Sequence, residues 1–298
     1  MNTAILLAVG AGLLYGALSL AYKYAKTVKA RSAQFTFMMS ATGALITLFK
    51  SFSETSTWGD ARLWLFGGGM GVVIVGGVYV IMAANRLGPV YSSWTVVNVS
   101  FLFAIFLAAI VLKEKLLCVD PFNLLLFGVT LLLFVRGMTA GGVNRHRNET
   151  LAHLAALVGI FVINGLATFG SKLKYTLFAE ANTSAYATVF YLTSAIITFF
   201  LILRDRQGPL FFKNEIKAGV AGGLFISAAT ILFLSAMSLP GAAVFTITQG
   251  VSLTSGVALT TIVGKERLNG WLALGLLTGL LLMFAVIFRE QTAAMLCR

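Results

Sequence analysis

Apolar runs of about 18 or more residues recur along the whole chain, and each is long enough to cross roughly 30 Å of hydrocarbon as a helix. They place spans near 3–22, 32–50, 63–84, 88–112, 120–139, 151–172, 183–203, 216–237, 240–263 and 269–288. No polar stretch between them is long enough for a soluble domain; the longest connections centre on Ala140–Thr150 and Arg204–Glu215. Charged residues make up only 11% of the chain, against roughly 25% for a soluble domain, and mean hydropathy is +0.91. The expected fold is therefore an all-α integral membrane protein of ten transmembrane helices. Prolines agree with these bounds: Pro89, Pro121 and Pro240 fall at span starts, where a missing N–H costs little, and Pro209 falls in a loop. The first run lacks a basic flank and a small-x-small cleavage site, so it reads as a retained span.

The second constraint is a repeat. Val111–Leu116, VLKEKL, and Val263–Leu268, VGKERL, each follow an apolar run and lie 152 residues apart. The same shift lays Gly67 on Gly219, Gly71 on Gly223, Val99 on Val251 and Ser100 on Ser252. A shift of 151 lays Lys23 on Lys174, and Thr42, Ile46, Thr47 and Phe49 on Thr193, Ile197, Thr198 and Phe200. The chain divides into a first five-helix repeat, 1–139, a connecting loop, 140–150, a second repeat, 151–290, and a short tail, 291–298. Because five is odd, the second copy enters the membrane from the opposite side. Two inverted copies generate an in-plane pseudo-twofold axis, the usual architecture of alternating-access transporters, with the substrate site near the midplane.

The fourth and ninth spans carry a family resemblance. Arg86–Leu116, RLGPVYSSWTVVNVSFLFAIFLAAIVLKEKL, and Ser238–Leu268, SLPGAAVFTITQGVSLTSGVALTTIVGKERL, both start at a small residue with proline and end at a Glu-containing helix terminus. Over its whole length the chain resembles the ten-helix, EamA-type branch of the drug/metabolite transporter (DMT) superfamily. That resemblance implies two inverted five-helix repeats and export or uptake of a small solute. Amino acids, small metabolites, nucleotide sugars, triose phosphates and organic cations are the family's cargoes.

Charge sets the expected orientation. Connections after the odd-numbered spans and their flanks hold 14 of the 22 Lys and Arg residues, and the opposite side holds eight, which places the former in the cytoplasm. The net charge of +12 is explained in this way, and no basic tract suggests nucleic acid. All ten carboxylates fall in loops or at span ends, which argues against antiport through a buried Glu. His146 and His153 fall near the central loop and read as solvated or interfacial. Cys118 and Cys297 are too few for a disulfide framework. No HExxH, intramembrane aspartate pair or matched Ser/His pair suggests an enzyme, and neither cofactor nor metal is expected.

Polar and aromatic stripes supply the candidate site. Tyr91, Trp94, Thr95 and Asn98 share a face of span four, and Thr246, Gln249 and Ser252 form a stripe on span nine. Span one offers Gly12, Tyr15, Ser19 and Tyr22; span six offers Asn164, Thr168, Ser171 and Tyr175; these two stripes do not superpose under the 151 shift. Span two (Phe35, Met39, Thr42) and span seven (Tyr186, Phe190, Thr193) do. Amides such as Asn98 and Gln249 inside a span need partners that lipid does not provide. The expected substrate site is lined by Tyr15, Ser19, Tyr79, Trp94, Asn98, Asn164, Tyr186 and Gln249. Lys23, Lys172 and Lys174 read as snorkelling residues at span ends, and the Lys-Glu tetrads as helix-end locks. The expected function is secondary transport of a small polar metabolite, an amino acid or related compound, with export favoured, across a bacterial inner membrane by a monomer or homodimer. Two alternatives stay open: uptake of a small organic cation through an aromatic cage, and a non-transporting membrane scaffold.

Overall fold

The computed structural model describes residues 2–53, 58–113, 119, 147–178, 182–204, 209–238, 241–263 and 269–288, with isolated positions in 122–136 and 291–295. Among these residues the regular structure is entirely helical. The helices are α1 (Asn2–Thr27), α2 (Ser32–Phe52), α3 (Ala61–Leu87), α4 (Val90–Val99), α5 (Phe101–Val111), α6 (Arg147–Leu177), α7 (Thr183–Arg204), α8 (Lys213–Ser235), α9 (Gly241–Ile262) and α10 (Gly270–Ile287), with a 3-10 turn at Ala236–Ser238. They do not map one to one onto the expected spans. The helices α4 and α5 share the fourth span, and 120–139 is described only at isolated positions.

Seven segments among the described residues are long and apolar enough to cross a membrane: α1, α2, α3, the α4–α5 pair (Val90–Val111), α6, α7 and α8. Outward-facing Leu6, Leu13, Phe49, Leu65, Phe200 and Leu224 are more than half exposed, a surface that lipid would cover and water would not favour. The chain is an all-α, multi-pass membrane protein. Several helices outrun the expected spans, because Lys and Arg stems continue a helix while carrying their charge to its end. Thus α1 reaches Thr27, and Lys26 Nζ donates to the Gly88 carbonyl at 2.5 Å. Lys29, with φ of 52°, then ends the helix, and Ala30 N donates to Ala25 O at 2.8 Å.

Packing follows a reciprocal scheme. Helix α1 lies against α8 and α9, while α6 lies against α3 and the α4–α5 pair. Helices α2 and α7 pack on each other; α2 also meets α8, and α7 also meets α3. The contacts agree residue by residue. A Cβ at Gly71 would lie 2.7 Å from Phe190 O and from Thr193 Cβ; one at Gly223 would lie 2.6 Å from Met39 O and from Thr42 Cβ. Glycine permits both close approaches.

The first and sixth spans match in a different register from the one the sequence suggests. A Cβ at Gly10 would lie 3.2 Å from Leu232 Cδ1, and one at Gly159 would lie 3.1 Å from Val80 Cγ1. Gly16 likewise meets Ser255, and Gly165 meets Phe103. Val80 and Leu232 are 152 apart, as are Phe103 and Ser255, so equivalent residues in α1 and α6 are 149 apart. Tyr15 then corresponds to Asn164, Ser19 to Thr168, Tyr22 to Ser171 and Lys23 to Lys172. Three residues of each stripe thus superpose under a shift of 149, whereas Gly12 falls on Phe161 and Tyr175 on Lys26.

Charged groups sit at helix ends. Arg31 N and Nε donate to Glu215 Oε1 at 3.0 and 2.9 Å, and Arg31 Nη2 donates to Glu215 Oε2 at 2.9 Å, tying the start of α2 to the start of α8. Asp60 caps α3 by accepting from Arg62 N at 2.9 Å; hydrogen bonds from the Arg62 side chain and backbone hold its carboxyl below the usual carboxylate range. Lys174 departs from the snorkelling expectation: only 3% exposed, it donates to Thr183 Oγ1 at 3.2 Å and bridges α6 to the start of α7. His153 is also corrected. It is fully buried, its ring lying against Gly88 and its Nε2 3.4 Å from Ser92 Oγ. The long α6 begins at Arg147, which carries residue 153 more than a turn into the bundle. The Lys-Glu tetrads beyond Lys113, both cysteines, Pro121, Pro240, His146 and most of the connecting loop lie outside the described residues.

Candidate binding cavity

A cavity of about 170 Å³ opens where α1, α3 and α4 face α6, α7, α8 and α9. A single buried water needs roughly 10–15 Å³ by the same measure, so the space suits a small molecule.

The fourth span shapes one wall. Ser100 interrupts it, because Asn98 and Ser100 offer the backbone competing partners. Asn98 Nδ2 donates to Trp94 O at 2.7 Å, and Ser100 Oγ donates to Val97 O at 2.6 Å. Asn164 reaches in from α6, its Nδ2 donating to Val97 O at 2.9 Å and to Ser100 Oγ at 2.7 Å. A broken helix at membrane depth is tolerated when neighbouring groups take up its freed polar atoms in this way. The fourth span remains one membrane-long segment, Val90–Val111, built of two helices that meet at Ser100, whose backbone stays in the α region. Trp94 crosses to α9, where its Nε1 donates to Ser252 O at 3.1 Å and its ring occupies the space left by Gly256.

The opposite wall carries a chain of hydroxyls. Thr230 Oγ1 lies 3.2 Å from Tyr15 Oη and 3.0 Å from Tyr191 Oη, linking α1, α7 and α8. Tyr22 and Trp94 lie with ring centroids 6.2 Å apart, Tyr15 and Phe233 meet edge-on at 6.3 Å, and Tyr186 and Phe190 meet edge-on at 5.4 Å. Edge and tilted contacts are the favourable arrangements for aromatic quadrupoles.

Of the expected site residues, Tyr15, Trp94, Asn164, Tyr186 and Gln249 line the cavity, as do Thr168, Ser171, Tyr22 and Ser252 from the same stripes. Three expected residues lie elsewhere. Asn98 is fully buried and turned back on its own helix, because its side chain is too short to leave the backbone that Trp94 clears. Ser19 donates to Gly16 O at 2.6 Å and Gly256 O at 3.2 Å, sealing the α1–α9 contact. Tyr79 is half-buried on α3 and outside the lining. Sequence reasoning missed Tyr191 and Thr230. A signal for Thr230 existed: its equivalent, 152 positions earlier, is Val78, so a polar group stands where the repeat calls for an apolar one.

Among the described residues, none of the lining side chains is charged. Among the described residues no group of three His, Cys, Asp or Glu side chains comes together to hold a metal.

No family model and no curated protein matches the sequence. Among solved structures, 28 chains match. One, described only as "Crystal structure of protein", superposes over 99% of this chain and 99% of its own, with a TM-score of 0.69 and 19% sequence identity. The likeness is one of fold, and it extends over the full length of both chains.

Proposed function

We propose that this protein is a secondary transporter of the EamA-type drug/metabolite transporter kind, with ten transmembrane helices in two inverted five-helix repeats. It moves a small polar metabolite, an amino acid or a related compound, by alternating access across a bacterial inner membrane, with export favoured. The observation that carries this reading is the position of the cavity. It lies between helices of the two copies, with equivalent pairs facing it: Tyr15 and Asn164, Val78 and Thr230, Val97 and Gln249. A partly polar chamber at the meeting of two copies is where alternating access requires the substrate. The reciprocal contacts of Gly71 and Gly223 support the inverted arrangement, since each copy packs on the other through the same residues.

Coupling follows from the placement of the acids. The carboxylates among the described residues are Asp60, Glu149 and Glu215, each at or before the first turn of its helix. Flux is therefore expected to persist without a pH gradient. The test is uptake and counterflow in proteoliposomes against a panel of labelled amino acids, their amides and alcohols. Trp94→Ala and Gln249→Ala should each reduce flux at least about tenfold, while the yield of monodisperse protein stays near normal. Loss of activity in proportion to loss of folded protein would mean that these residues serve packing alone. Absence of flux for every compound would remove the transporter reading.

A further inference from the structure

Resting on the transporter reading, and narrowing its cargo from amino acids to their uncharged relatives, we propose that the cavity selects an uncharged solute: an apolar or aromatic body carrying neutral hydrogen-bonding groups, in preference to an ion or a zwitterion.

The first support is the polar capacity that the walls leave unused. Most of it is already committed. Asn164 Nδ2 is held by Val97 O and Ser100 Oγ, Trp94 Nε1 by Ser252 O, and the hydroxyls of Tyr15 and Tyr191 lie against Thr230. Two residues of the lining, Tyr186 and Ser252, each 1% exposed, carry buried hydroxyls with no protein partner. Buried polar groups are nearly always paired, so such orphans in a cavity wall mark where a ligand bonds. Gln249 lies one turn before Ser252 on the same face of α9 and adds a neutral amide. A hydroxyl both donates and accepts, which suits a carbonyl, amide or hydroxyl on the solute.

The second support is charge. A carboxylate or ammonium entering this space loses its hydration and meets no opposite charge among the lining residues. Lys174, one turn beyond Ser171 on α6, is committed to Thr183 Oγ1 and is not in the lining. A quaternary ammonium would gain from the aromatic faces. It has no donor or acceptor, however, and would leave both orphan hydroxyls buried and unpaired. A neutral solute satisfies them and still uses the rings of Tyr22, Trp94 and Phe190 as apolar walls.

The test uses four probes with a common phenyl body: N-acetyl-L-phenylalaninamide, L-phenylalanine, phenyltrimethylammonium and 3-phenylpropionate. Binding to the purified protein is measured by calorimetry, and exchange is measured in proteoliposomes with protein-free vesicles as the baseline. The neutral amide should bind at least about tenfold more tightly than the other three. Tyr186→Phe and Ser252→Ala should each weaken that binding about tenfold while leaving the melting temperature unchanged or higher, because each removes an orphan group. Equal or tighter binding of the zwitterion or either ion, binding of no probe, or indifference to both variants would overturn the proposal. The two readings fail separately. If phenylalanine binds best and exchanges, the solute class is wrong and transport stands. If the amide binds as expected but exchanges no faster than in protein-free vesicles, the class stands and transport falls.

Discussion

The α4–α5 pair and α9 lie 152 residues apart in the chain, yet the pair is broken at Ser100 while α9 runs unbroken from Gly241 to Ile262. Each is crossed by another helix at a glycine: Gly165 of α6 against the α4–α5 pair, Gly16 of α1 against α9. The polar residues differ. In the fourth span Asn98 and Ser100 turn onto the backbone, and Asn164 enters from α6 to join them. In α9, Gly250 stands 152 positions after Asn98, and the residue that matches Asn164 under the shift of 149 is Tyr15. A tyrosine is too long to fold onto neighbouring carbonyls, and its hydroxyl lies instead at Thr230 on α8. One half thus spends its polar side chain on opening a helix; the other spends it on tying two helices across the cavity. Gly71 and Gly223, alike under the offset of 152, give close packing twice; Ile74 and Ile226, also alike, line the chamber, but its polar groups Tyr15, Asn164, Thr230 and Gln249 stand where the matched residue differs.

The packing half of that comparison is the easiest to break, and it carries the largest expected effect. Gly71→Leu and Gly223→Leu each force a side chain into the facing backbone, at Phe190 O and Met39 O respectively. Each should cost about 3 kcal/mol or more, since little in these contacts can give way. Thermal unfolding and the yield of monodisperse protein in detergent provide the measurement, and both variants should lose a comparable amount. Tolerance of leucine at one site and collapse at the other would show that the two contacts are not equivalent.

This contrast also explains which features were legible in the sequence. Apolar runs marked the seven membrane-long segments, and the offset of 152 picked out Gly71 and Gly223, because both depend on periodicity that the letters carry directly. The break at Ser100 was hidden: Asn98 and Ser100 are short polar residues that sit comfortably in an intact helix unless a partner such as Asn164 arrives from elsewhere. The stripe on span four placed Trp94 and Asn98 on one face, but only Trp94 reaches the cavity. Side-chain length, not helical phase, decided between them. Tyr191 was missed because it adjoins Phe190 in an apolar helix, and only the hydroxyl of Thr230 gives it a role.

The next effect sharpens the broken half. Asn164→Leu removes both bonds to the fourth span, yet Val97 O keeps its bond from Ser100 Oγ. The expected loss is about 1–2 kcal/mol. A double-mutant cycle with Ser100→Ala should give a coupling of about 0.5 kcal/mol or more, because Asn164 and Ser100 share one carbonyl. Strict additivity would mean that the two residues act independently and that the break is not held by Asn164.

The smallest effect tests the tied half. Tyr15→Phe keeps the ring against Phe233 and removes only the hydroxyl at Thr230. Thr230 retains Tyr191 as a partner, so no polar group is orphaned, and the cost should be about 0.6 kcal/mol, the usual worth of one interhelical hydrogen bond in a membrane. Tyr191→Phe in the same background should cost more than it does alone, because Thr230 then loses both phenols. Thermal unfolding of the two single variants and the double variant would read this out. If Tyr15→Phe proves as damaging as Asn164→Leu, the tyrosine holds its half together as firmly as the asparagine holds the break. The difference between the halves would then lie in geometry alone, not in how much stability each assigns to its polar residue.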